Sequence, residues 1–322
     1  MPPLLRSSGD LLADRRFGHA EAAFAAGDHQ AAADLAAQVL ELVPRFAPAH
    51  ALLGRARLAM GERDAAIAAL RLAVAIEPED ALGVGLDLAR LGALAPEEAI
   101  SQGYVRALFD DYAPRFDKHL IRNLAYRGPE LIAAALRRAC ALRGRPFRFR
   151  RGLDLGCGTG LAARALEGRA AMVEGVDLSP RMLAKARKTH LYDRLHEGDL
   201  VGFLAGCGEA SADLLVAVDV FVYMASLAPA FRAARRVLAR DGLFAFSVQA
   251  GGGDGFALGE DGRYSHGEAY LRRLAAECGF TVAFLEEAST RQDRGEDVPG
   301  FLVVLAREGA TVPPPLAREE EG

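Results

Sequence analysis

The octet LDLGCGTG, residues 153–160, decides the fold of this chain. Two apolar residues, Leu153 and Leu155, lead into the alternating glycines Gly156, Gly158 and Gly160, and an alanine-rich stretch of helical character follows. Glycine permits a tight turn and lets a ligand approach the backbone closely. The pattern therefore predicts a buried strand, a glycine-rich ligand-binding loop and a helix, which form the first unit of an α/β fold.

Downstream of the octet, short apolar runs alternate with helical stretches. The candidate strands read GLDLG (152–156), AMVEGVDL (171–178), DRLHEGDL (193–200), DLLVAVDVFV (213–222) and GLFAFSVQ (242–249). Helical stretches lie around 162–166, 180–188 and 229–238, and the runs 280–286 and 300–306 favour a closing antiparallel pair. This alternation predicts a Rossmann-like, mostly parallel seven-stranded sheet with helices on both faces.

Upstream of the octet, the first ninety or so residues have only helical periodicity and contain an internal repeat. Three pairs of residues keep the same spacing of 34: Gly27 with Gly61, Ala32 with Ala66, and Pro44 with Pro78. A 34-residue helix–turn–helix period is typical of the tetratricopeptide repeat. We predict repeats over 13–46 and 47–80 and a covering helix over 81–92. Because about three repeats are needed for a self-sufficient solenoid, these two are expected to lean on the next domain or on another chain.

The segment between the repeats and the octet has two features with open interpretations. Tyr104, Phe109, Tyr112 and Phe116 fall at helical intervals within an amphipathic segment, 104–120, and predict either a core stripe or a lid over a ligand. The run RGRPFRFRRG (143–152) carries five arginines between Arg143 and Arg151. It is either a basic patch or a solvated linker ahead of the first strand.

Composition sets further limits. The 322 residues carry a net charge of −4, which disfavours extensive nucleic-acid binding. No apolar run of membrane-spanning length is present, and the N-terminal residues lack the apolar core of a signal peptide. The four cysteines are scattered, which favours reduced thiols in a cytoplasmic protein and provides no metal framework. The excess of arginine over lysine suggests a bacterial source.

We therefore expect three parts: a helical repeat domain over 1–94, an α/β domain over 95–309 and a disordered tail over 310–322. The tail is proline-rich and then acidic.

Two classes of cofactor use a glycine loop of this kind. Dinucleotide-binding dehydrogenases require G-x-G-x-x-G, but counting from Gly156 places Leu161 at the sixth position, and counting from Gly158 places Ala163 there. The observed G-x-G-x-G spacing, with Asp154 two residues ahead, instead resembles motif I of the class I S-adenosylmethionine-dependent methyltransferases. The resemblance implies S-adenosylmethionine as cofactor. The glycine spacing disfavours the alternative, a nicotinamide-dependent dehydrogenase.

The resemblance extends along the chain from about residue 100 to residue 306. The segments VDLSPRMLAKAR, LYDRLHEGDL, DLLVAVDVFVYM and RVLARDGLFAFSV follow the order of the family, and LFDDYAPRFDKHL resembles the segment that precedes its domain. The chain particularly resembles bacterial proteins in which tetratricopeptide repeats precede such a domain. It departs from them at 223–227, where YMASL replaces the frequent YIGDL.

The resemblance assigns residues to the cofactor position by position. Asp177 would accept hydrogen bonds from the ribose hydroxyls, Asp199 would bind the adenine amino group unless it is only a turn residue, and Asp219 would face the methyl group. The full predicted set is Asp154, Gly156, Cys157, Gly158, Gly160, Asp177, Leu178, Met182, Asp199, Leu200 and Asp219.

Candidate residues for the methyl acceptor are fewer. Tyr264 and His266, in RYSH, are the predicted catalytic residues because histidine can take a proton near neutral pH; helix capping or a surface position is the alternative. Arg291 and Arg294 could pair with a carboxylate or phosphate, or be ordinary surface arginines. The residues predicted to contact the substrate or form a lid are Tyr104, Phe109, Tyr112, Tyr223 and Arg291.

The acceptor itself stays open between two classes. The tetrapeptide of many amide-nitrogen methyltransferases is replaced by DVFV, which lowers the expectation of action on an amide or base nitrogen. A small-molecule acceptor is favoured, because the inner repeat positions are mainly alanine, with Arg55 and Arg57 as exceptions. The alternatives are a protein or peptide recruited by the repeats, which could also self-associate, and a decayed binding module, which the intact Asp154 and Asp177 disfavour.

Overall fold

The computed structural model describes residues 7–116, 125–293 and 295–308. Its N-terminal part consists of helices α1 Leu11–Ala25, α2 His29–Leu42, α3 Ala47–Ala59, α4 Arg63–Ile76 and α5 Val84–Arg90. Each helix packs on the next one along the chain. The result is two successive helical hairpins with a covering helix, which confirms the repeats that the spacing of 34 predicts.

Small side chains allow these helices to approach closely. An added Cβ at Gly54 would lie 2.6 Å from Cγ of Leu70 on α4. Ala32 and Ala66, which occupy equivalent positions of the two repeats, are both fully buried. The alanine-rich composition of this region therefore serves close packing between helices.

One long segment connects the repeats to the sheet. A short 3-10 turn, Pro96–Glu98, is followed by α6, Gln102–Tyr112, and then by α7, Gly128–Leu142. The Ser101 hydroxyl accepts a hydrogen bond from Tyr104 N (2.9 Å) and donates one to the Glu79 carbonyl (2.8 Å), so it begins α6 and ties it to the repeats. Helix α6 is the first part of the predicted aromatic segment, and residues 117–120 lie outside the described residues.

A twisted sheet follows, and its first five strands are parallel. The strands of the described residues are β1 Phe149–Leu155, β2 Ala170–Asp177, β3 Arg194–Glu197, β4 Ala212–Ala217, β5 Leu238–Gly251, β6 Phe256–Leu258, β7 Tyr264–Gly267, β8 Thr281–Glu287, β9 Gln292–Asp293, β10 Glu296–Asp297 and β11 Gly300–Ala306. Seven of them form the order β3-β2-β1-β4-β5-β11-β8, with β11 antiparallel to both neighbours. The predicted Rossmann-like sheet is confirmed.

The sheet also contains two short strands that the sequence did not predict. Strand β7 pairs in parallel with the end of β5, and β6 pairs antiparallel with β7. Gln249 of β5 pairs with Ser265 of β7 on one edge and with Gly300 of β11 on the other. The β6–β7 hairpin therefore lies on the β4 side of β5, beyond the carboxyl end of β4.

Helices cover both faces of the sheet. Those after α7 are α8 Leu161–Ala165, α9 Pro180–Arg187, α10 Leu200–Gly206, α11 Ala228–Val237 and α12 Glu268–Glu277. On one face Phe221, Phe231, Phe244 and Phe246 form a fully buried cluster, and on the other α7 packs through Ile132 and Leu136. Across the ranges that the structure describes, none of the helices combines the length and apolarity that crossing a bilayer requires.

The covering helix α5 and the 3-10 turn that follows it contact the β6–β7 hairpin directly. The Tyr264 hydroxyl donates a hydrogen bond to the Pro96 carbonyl, and Arg90 Nη2 donates one to the Glu260 carbonyl (2.7 Å). The side chain of Leu86 lies against Gly262, in the turn between β6 and β7. The repeat region thus packs against the α/β domain at this hairpin.

The arginine-rich run ahead of β1 is paired within the chain. Arg143 Nη1 donates to Glu308 Oε1 (3.0 Å), and Arg151 Nη2 lies 2.7 Å from Glu174 Oε1. The Arg145 guanidinium lies over the Phe149 ring, 5.1 Å from its centroid. These contacts favour the linker interpretation over a basic patch.

Candidate functional site

A cavity of about 840 Å³ opens at the carboxyl ends of the parallel strands. In open α/β sheets ligands bind at this edge, where the strand order reverses, which here is between β1 and β4. Residues that follow β1, β2, β3 and β4 line the cavity, among them Gly158, Asp177, Asp199 and Asp219. Further walls come from α6, from the β6–β7 hairpin and from residues after β8.

The glycine loop forms the floor of the cavity beside β1. Gly156 and Gly158 have φ of +71° and +53°, which glycine adopts readily and other residues adopt with strain. An added Cβ at Gly156 would lie 2.5 Å from Val220 Cγ2, whereas one at Gly158 would meet nothing within 4 Å. The loop is therefore packed from below at Gly156 and open towards the cavity at Gly158.

Asp177 stands at the end of β2 with its carboxylate held in place. Its Oδ2 accepts a hydrogen bond from Gly158 N and its Oδ1 accepts one from Ser179 N, each at 2.8 Å. Burial raises the pKa of this carboxyl, and the two backbone hydrogen bonds oppose that shift. Each oxygen keeps a further lone pair, so the carboxylate can accept two more hydrogen bonds from a vicinal diol.

Apolar side chains and one more carboxylate flank Asp177. Leu178, after β2, and Leu200, at the start of α10, both line the cavity. Asp199 begins α10 by accepting a hydrogen bond from Gly202 N (2.9 Å), and it also lines the cavity. Asp199 therefore caps a helix and faces the ligand space at once.

Four residues of the predicted cofactor set lie behind the cavity wall: Asp154, Cys157, Gly160 and Met182. Asp154 is 5% exposed and accepts a hydrogen bond from the Tyr192 hydroxyl (2.6 Å). Burial raises the pKa of Asp154 to about 7. Cys157 and Met182 are buried in the packing below the loop. The geometry gives these residues a supporting position rather than a surface that a ligand could touch.

Asp219, after β4, lies at the middle of the cavity. Its φ of +56° is uncommon for a non-glycine residue, and its backbone N–H donates a hydrogen bond to Ser247 Oγ (2.8 Å). Its Oδ1 accepts hydrogen bonds from the hydroxyls of Ser247 (3.0 Å) and Thr290 (2.9 Å). Ser247 of β5 and Thr290 after β8 thus fix the carboxylate in one orientation.

Helix α6 forms a roof over the cavity. Its apolar face, with Phe109 and Tyr112, lines the cavity, as does Phe116 after it, so these three residues of the predicted stripe face ligand space. The Phe109 ring packs edge-on against Tyr223, with centroids 5.4 Å apart. The Ser179 hydroxyl, beside Asp177, donates to Asp110 Oδ1 (2.6 Å) and holds the roof to the start of α9. Tyr104 lies outside the cavity and packs on Gly83.

Two arginines line the β5 side of the cavity. Arg291 is 6% exposed, and its Nη2 donates to Gln249 Oε1 (3.0 Å). Burial, and then the neighbouring charge of Arg263, lower the pKa of Arg291. Arg263 is half-buried and hydrogen-bonds Tyr223. Arg294, which the sequence paired with Arg291, lies outside the described residues.

The predicted catalytic residues Tyr264 and His266 do not reach the cavity. Both are buried, at 1% and 0% exposure. The Tyr264 hydroxyl donates a hydrogen bond to the Pro96 carbonyl. His266 Nε2 lies 3.0 Å from the Met224 carbonyl oxygen and 3.1 Å from that of Ala225. The structure therefore corrects their placement: they fix the hairpin and the turn after β4, and neither lines the cavity.

Sequence reasoning missed Arg263 and Tyr126, which both line the cavity. Arg263 is the first residue of the RYSH segment that contains the predicted catalytic residues. Side chains alternate between the two faces of a strand, so Tyr264 and His266 face the interior while Arg263 faces the cavity. Alternation along this segment could have indicated Arg263. No comparable pattern marks Tyr126.

Comparisons with known proteins agree with this architecture. A family model described as a methyltransferase domain matches residues 153–246, and one described as a tetratricopeptide repeat matches residues 23–91. The first match begins at the glycine octet and ends within β5.

Curated relatives and a solved structure extend the comparison. The malonyl-(acyl-carrier protein) O-methyltransferase of Geobacter sulfurreducens is 34% identical over 240 residues, which is 62% of this chain and 84% of that protein. The demethylmenaquinone methyltransferase of Chlorobaculum parvum is 38% identical over 101 residues, 30% of this chain and 41% of that protein. The cyclase SpnF, at 18% identity and a TM-score of 0.50, covers 65% of this chain and 96% of its own and shares the fold alone.

Proposed function

This chain belongs to the S-adenosylmethionine-dependent methyltransferases, and we propose that it methylates an oxygen or nitrogen atom of a small-molecule acceptor. S-adenosylmethionine supplies a methyl group activated by its sulfonium. The observation that carries the proposal is that one cavity contains both the glycine loop with Asp177 and the two arginines, Arg263 and Arg291. Asp219 lies between these two groups. We name the part lined by residues after β1, β2 and β3 the cofactor half, and the part lined by Tyr223, Arg263 and Arg291 the acceptor half.

The cofactor half has the chemistry that the cofactor needs. Asp177 retains acceptor capacity on both oxygens for the ribose hydroxyls, and Gly158 leaves open space at the loop. Leu178 and Leu200 offer apolar contact for the adenine ring, with Asp199 beside them as acceptor for its amino group. We assign Asp154, Cys157, Gly160 and Met182 to support of the loop.

Positioning is the main contribution expected of the acceptor half. Methyl transfer is an in-line displacement, so orienting the nucleophile contributes most of what the protein must supply. Among the described residues that line the cavity there is no histidine or lysine. Asp219, held by Ser247 and Thr290, is the carboxylate that we assign to orienting the acceptor at the midpoint of the cavity.

Three observations support a small acceptor. The roof helix α6 encloses the cavity from above, which suits a compact ligand better than a protein surface. Arg55, the inner repeat arginine, is occupied by Asp87 Oδ2 (2.7 Å) and the Leu82 carbonyl (3.0 Å). Both relatives are named for small groups, malonyl on acyl-carrier protein in one and demethylmenaquinone in the other.

A protein or peptide acceptor recruited by the repeats is the second candidate. One observation favours it: a groove of about 370 Å³ lies between α4 and the end of α5, with Ile67 at its floor and Arg63, Asp64 and Arg71 among its lining. Arg63 Nη2 also donates to the Leu91 carbonyl, so the groove is braced. A groove of this size would accept only a short segment.

Two measurements test the proposal on the full-length chain. Isothermal titration with S-adenosylhomocysteine and with NADH should show binding of the first and none of the second, and the reverse result would contradict it. Transfer of labelled methyl groups is then assayed on a metabolite panel and on lysate proteins in parallel. Label in metabolites supports the small acceptor, whereas label in one protein band supports the second candidate.

A further inference from the structure

We propose that the acceptor carries a carboxylate, and that Arg263 and Arg291 form the subsite that binds it. The inference rests on the proposed function and names the chemical class of its acceptor. It starts from the position of the two guanidinium groups. Arg263 precedes β7, which pairs with the end of β5, and Arg291 follows β8, so both lie across the sheet from the residues after β1, β2 and β3 that form the cofactor half.

The described residues use only part of the hydrogen-bonding capacity of the Arg291 guanidinium, through Gln249 and a long ion pair with Asp219. It is 6% exposed and lines the cavity, yet its Nε has no hydrogen-bond partner among the described residues. Its Nη1 lies 3.9 Å from Asp219 Oδ2, which is too long for a hydrogen bond. A buried guanidinium with an incomplete set of hydrogen bonds is costly, and an anion bound where Arg291 lines the cavity would reduce that cost.

The second guanidinium makes the site favourable for an anion. Arg263 lies close enough for its charge to disfavour the protonated form of Arg291. Two neighbouring like charges repel each other, so an anion bound between them gains from both. Guanidinium groups also present planar, paired donors that match the geometry of a carboxylate.

The surrounding charges favour a carboxylate over a phosphate. Asp219 and Asp261 line the same part of the cavity, so two carboxylates already face the two guanidinium groups. A phosphate monoester with nearly two negative charges would meet more repulsion there than a singly charged carboxylate. Asp219 pairs with Arg291 only at long range, because its Oδ1 is held by Ser247 and Thr290 and its Oδ2 stays 3.9 Å from Arg291 Nη1.

The remainder of the cavity indicates an apolar body for the same acceptor. Phe109, Phe116 and Tyr112 lie next to one another in the roof, with ring centroids 5.1 to 6.1 Å apart, and Tyr223 joins them to Arg263. An acceptor with a carboxylate at one end and an apolar or aromatic body would match this arrangement.

The test titrates the full-length chain, saturated with S-adenosylhomocysteine, with ω-phenylalkanoates that carry chains of two to six carbons. The matched neutral amides and the corresponding phenylalkyl phosphates are titrated in parallel. We expect carboxylates to bind at least about tenfold more tightly than amides, since charge-assisted hydrogen bonds to both arginines are lost in the amide. Equal binding of amides, tighter binding of phosphates, or no carboxylate binding would overturn the proposal.

Variants then assign the effect to the two residues. Arg263→Gln and Arg291→Gln should each weaken carboxylate binding about tenfold or more and leave amide binding unchanged. Arg272→Gln, at an exposed i,i+4 pair with Glu268 on the neighbouring α12, is the matched control and should change neither. If the buried Arg291 variant does not fold, the half-buried Arg263 variant carries the same test.

Titration of S-adenosylhomocysteine separates this inference from the proposed function. The cofactor has a carboxylate of its own, so its affinity is measured in both arginine variants. Unchanged affinity is expected, and a loss of about tenfold would show that the arginines hold the cofactor and would overturn the acceptor subsite. Failure of the unmodified chain to bind S-adenosylhomocysteine would instead contradict the proposed function itself.

Discussion

The cofactor half of the cavity is built from one continuous part of the chain, whereas the acceptor half is assembled from distant parts. Gly158, Asp177 and Asp199 follow three successive parallel strands, and each is held by backbone hydrogen bonds. Tyr223, Arg263 and Arg291 come from a turn, a hairpin and the segment after β8, and they meet through side chains. The first half is therefore specified by local backbone geometry and the second by tertiary packing.

This difference indicates which changes each half tolerates. Backbone geometry in a glycine loop leaves little freedom for substitution, because positive φ angles and close contacts exclude larger residues. Side-chain subsites can change by single substitutions without disturbing the strands beneath them. We expect changes in the cofactor half to affect folding and cofactor binding together, and changes at exposed or half-buried positions of the acceptor half to affect mainly acceptor binding.

The largest expected effect comes from the glycine loop and uses two matched variants. Gly156→Ala should lower the free energy of unfolding by about 2–5 kcal/mol, because the strained φ adds to a clash with Val220. Gly158→Ala has the same backbone strain but open space for its methyl group, so about 1–2 kcal/mol is expected. Urea denaturation measures both, and equal losses would show that Val220 is not a rigid wall.

The second prediction concerns the carboxyl buried beneath the loop. The pKa of Asp154 is about 7 in the folded chain against 3.8 for the ordinary group. Between these values the folded state holds a proton that the unfolded state has lost, so the free energy of unfolding falls as the pH rises from about 4 to about 7, by at most roughly 4 kcal/mol. Above that range this contribution is constant. Denaturation at a series of pH values measures the slope.

Two variants isolate Asp154 in that experiment. Asp154→Asn should flatten the slope, because it cannot ionise. Tyr192→Phe removes a hydrogen bond that lowers the pKa of Asp154, so the decline should extend to higher pH. An unchanged slope in Asp154→Asn would exclude this carboxyl as its source.

The third prediction sharpens the comparison at Asp177. Asp177→Ala removes the acceptor for the ribose hydroxyls, each hydrogen bond to a charged group being worth about 1.5–3 kcal/mol, so affinity for S-adenosylhomocysteine should fall about tenfold or more. Carboxylate binding in the acceptor half is not expected to depend on this residue directly. Isothermal titration gives both values, and an unchanged dissociation constant for S-adenosylhomocysteine would mean that Asp177 is not the ribose ligand.

The smallest expected effect concerns the roof that both halves share. Helix α6 has no fully buried residue, and the Ser179–Asp110 hydrogen bond ties it to the cofactor half. We expect α6 to become ordered when the cofactor binds, with backbone hydrogen exchange slowed about fivefold, or about 1 kcal/mol. Helix α12, none of whose residues lines the cavity, serves as the internal control. Equal protection with and without S-adenosylhomocysteine would make α6 a fixed wall.

The same comparison explains what the sequence could predict. The glycine spacing, the acidic residue after β2 and the alternation of strands and helices are local patterns, and the predicted fold and cofactor follow from them. The spacing of 34 is also local, and the repeats follow from it. Each of these features depends on residues that are near one another in the chain.

The acceptor half could not be predicted in the same way. Residue type indicates Tyr264 and His266, but the pairing of β7 with β5 turns both into the interior and leaves Arg263 at the cavity. That pairing is short and long-range, and nothing in the local sequence specifies it. The sequence also indicates Arg291, yet its buried position beside Gln249 depends on how β8 and β11 close the sheet.

The contact of α5 and the following turn with the β6–β7 hairpin has a consequence for domain exchange between proteins. Arg90, at the end of α5, and Pro96, in the turn that follows, hold the hairpin that bears Arg263, so these residues form part of the scaffold behind the acceptor half. A repeat domain transplanted from another protein would have to provide a helix end at the position of Arg90. Exchange of the repeat domain is therefore expected to remove one support of the hairpin.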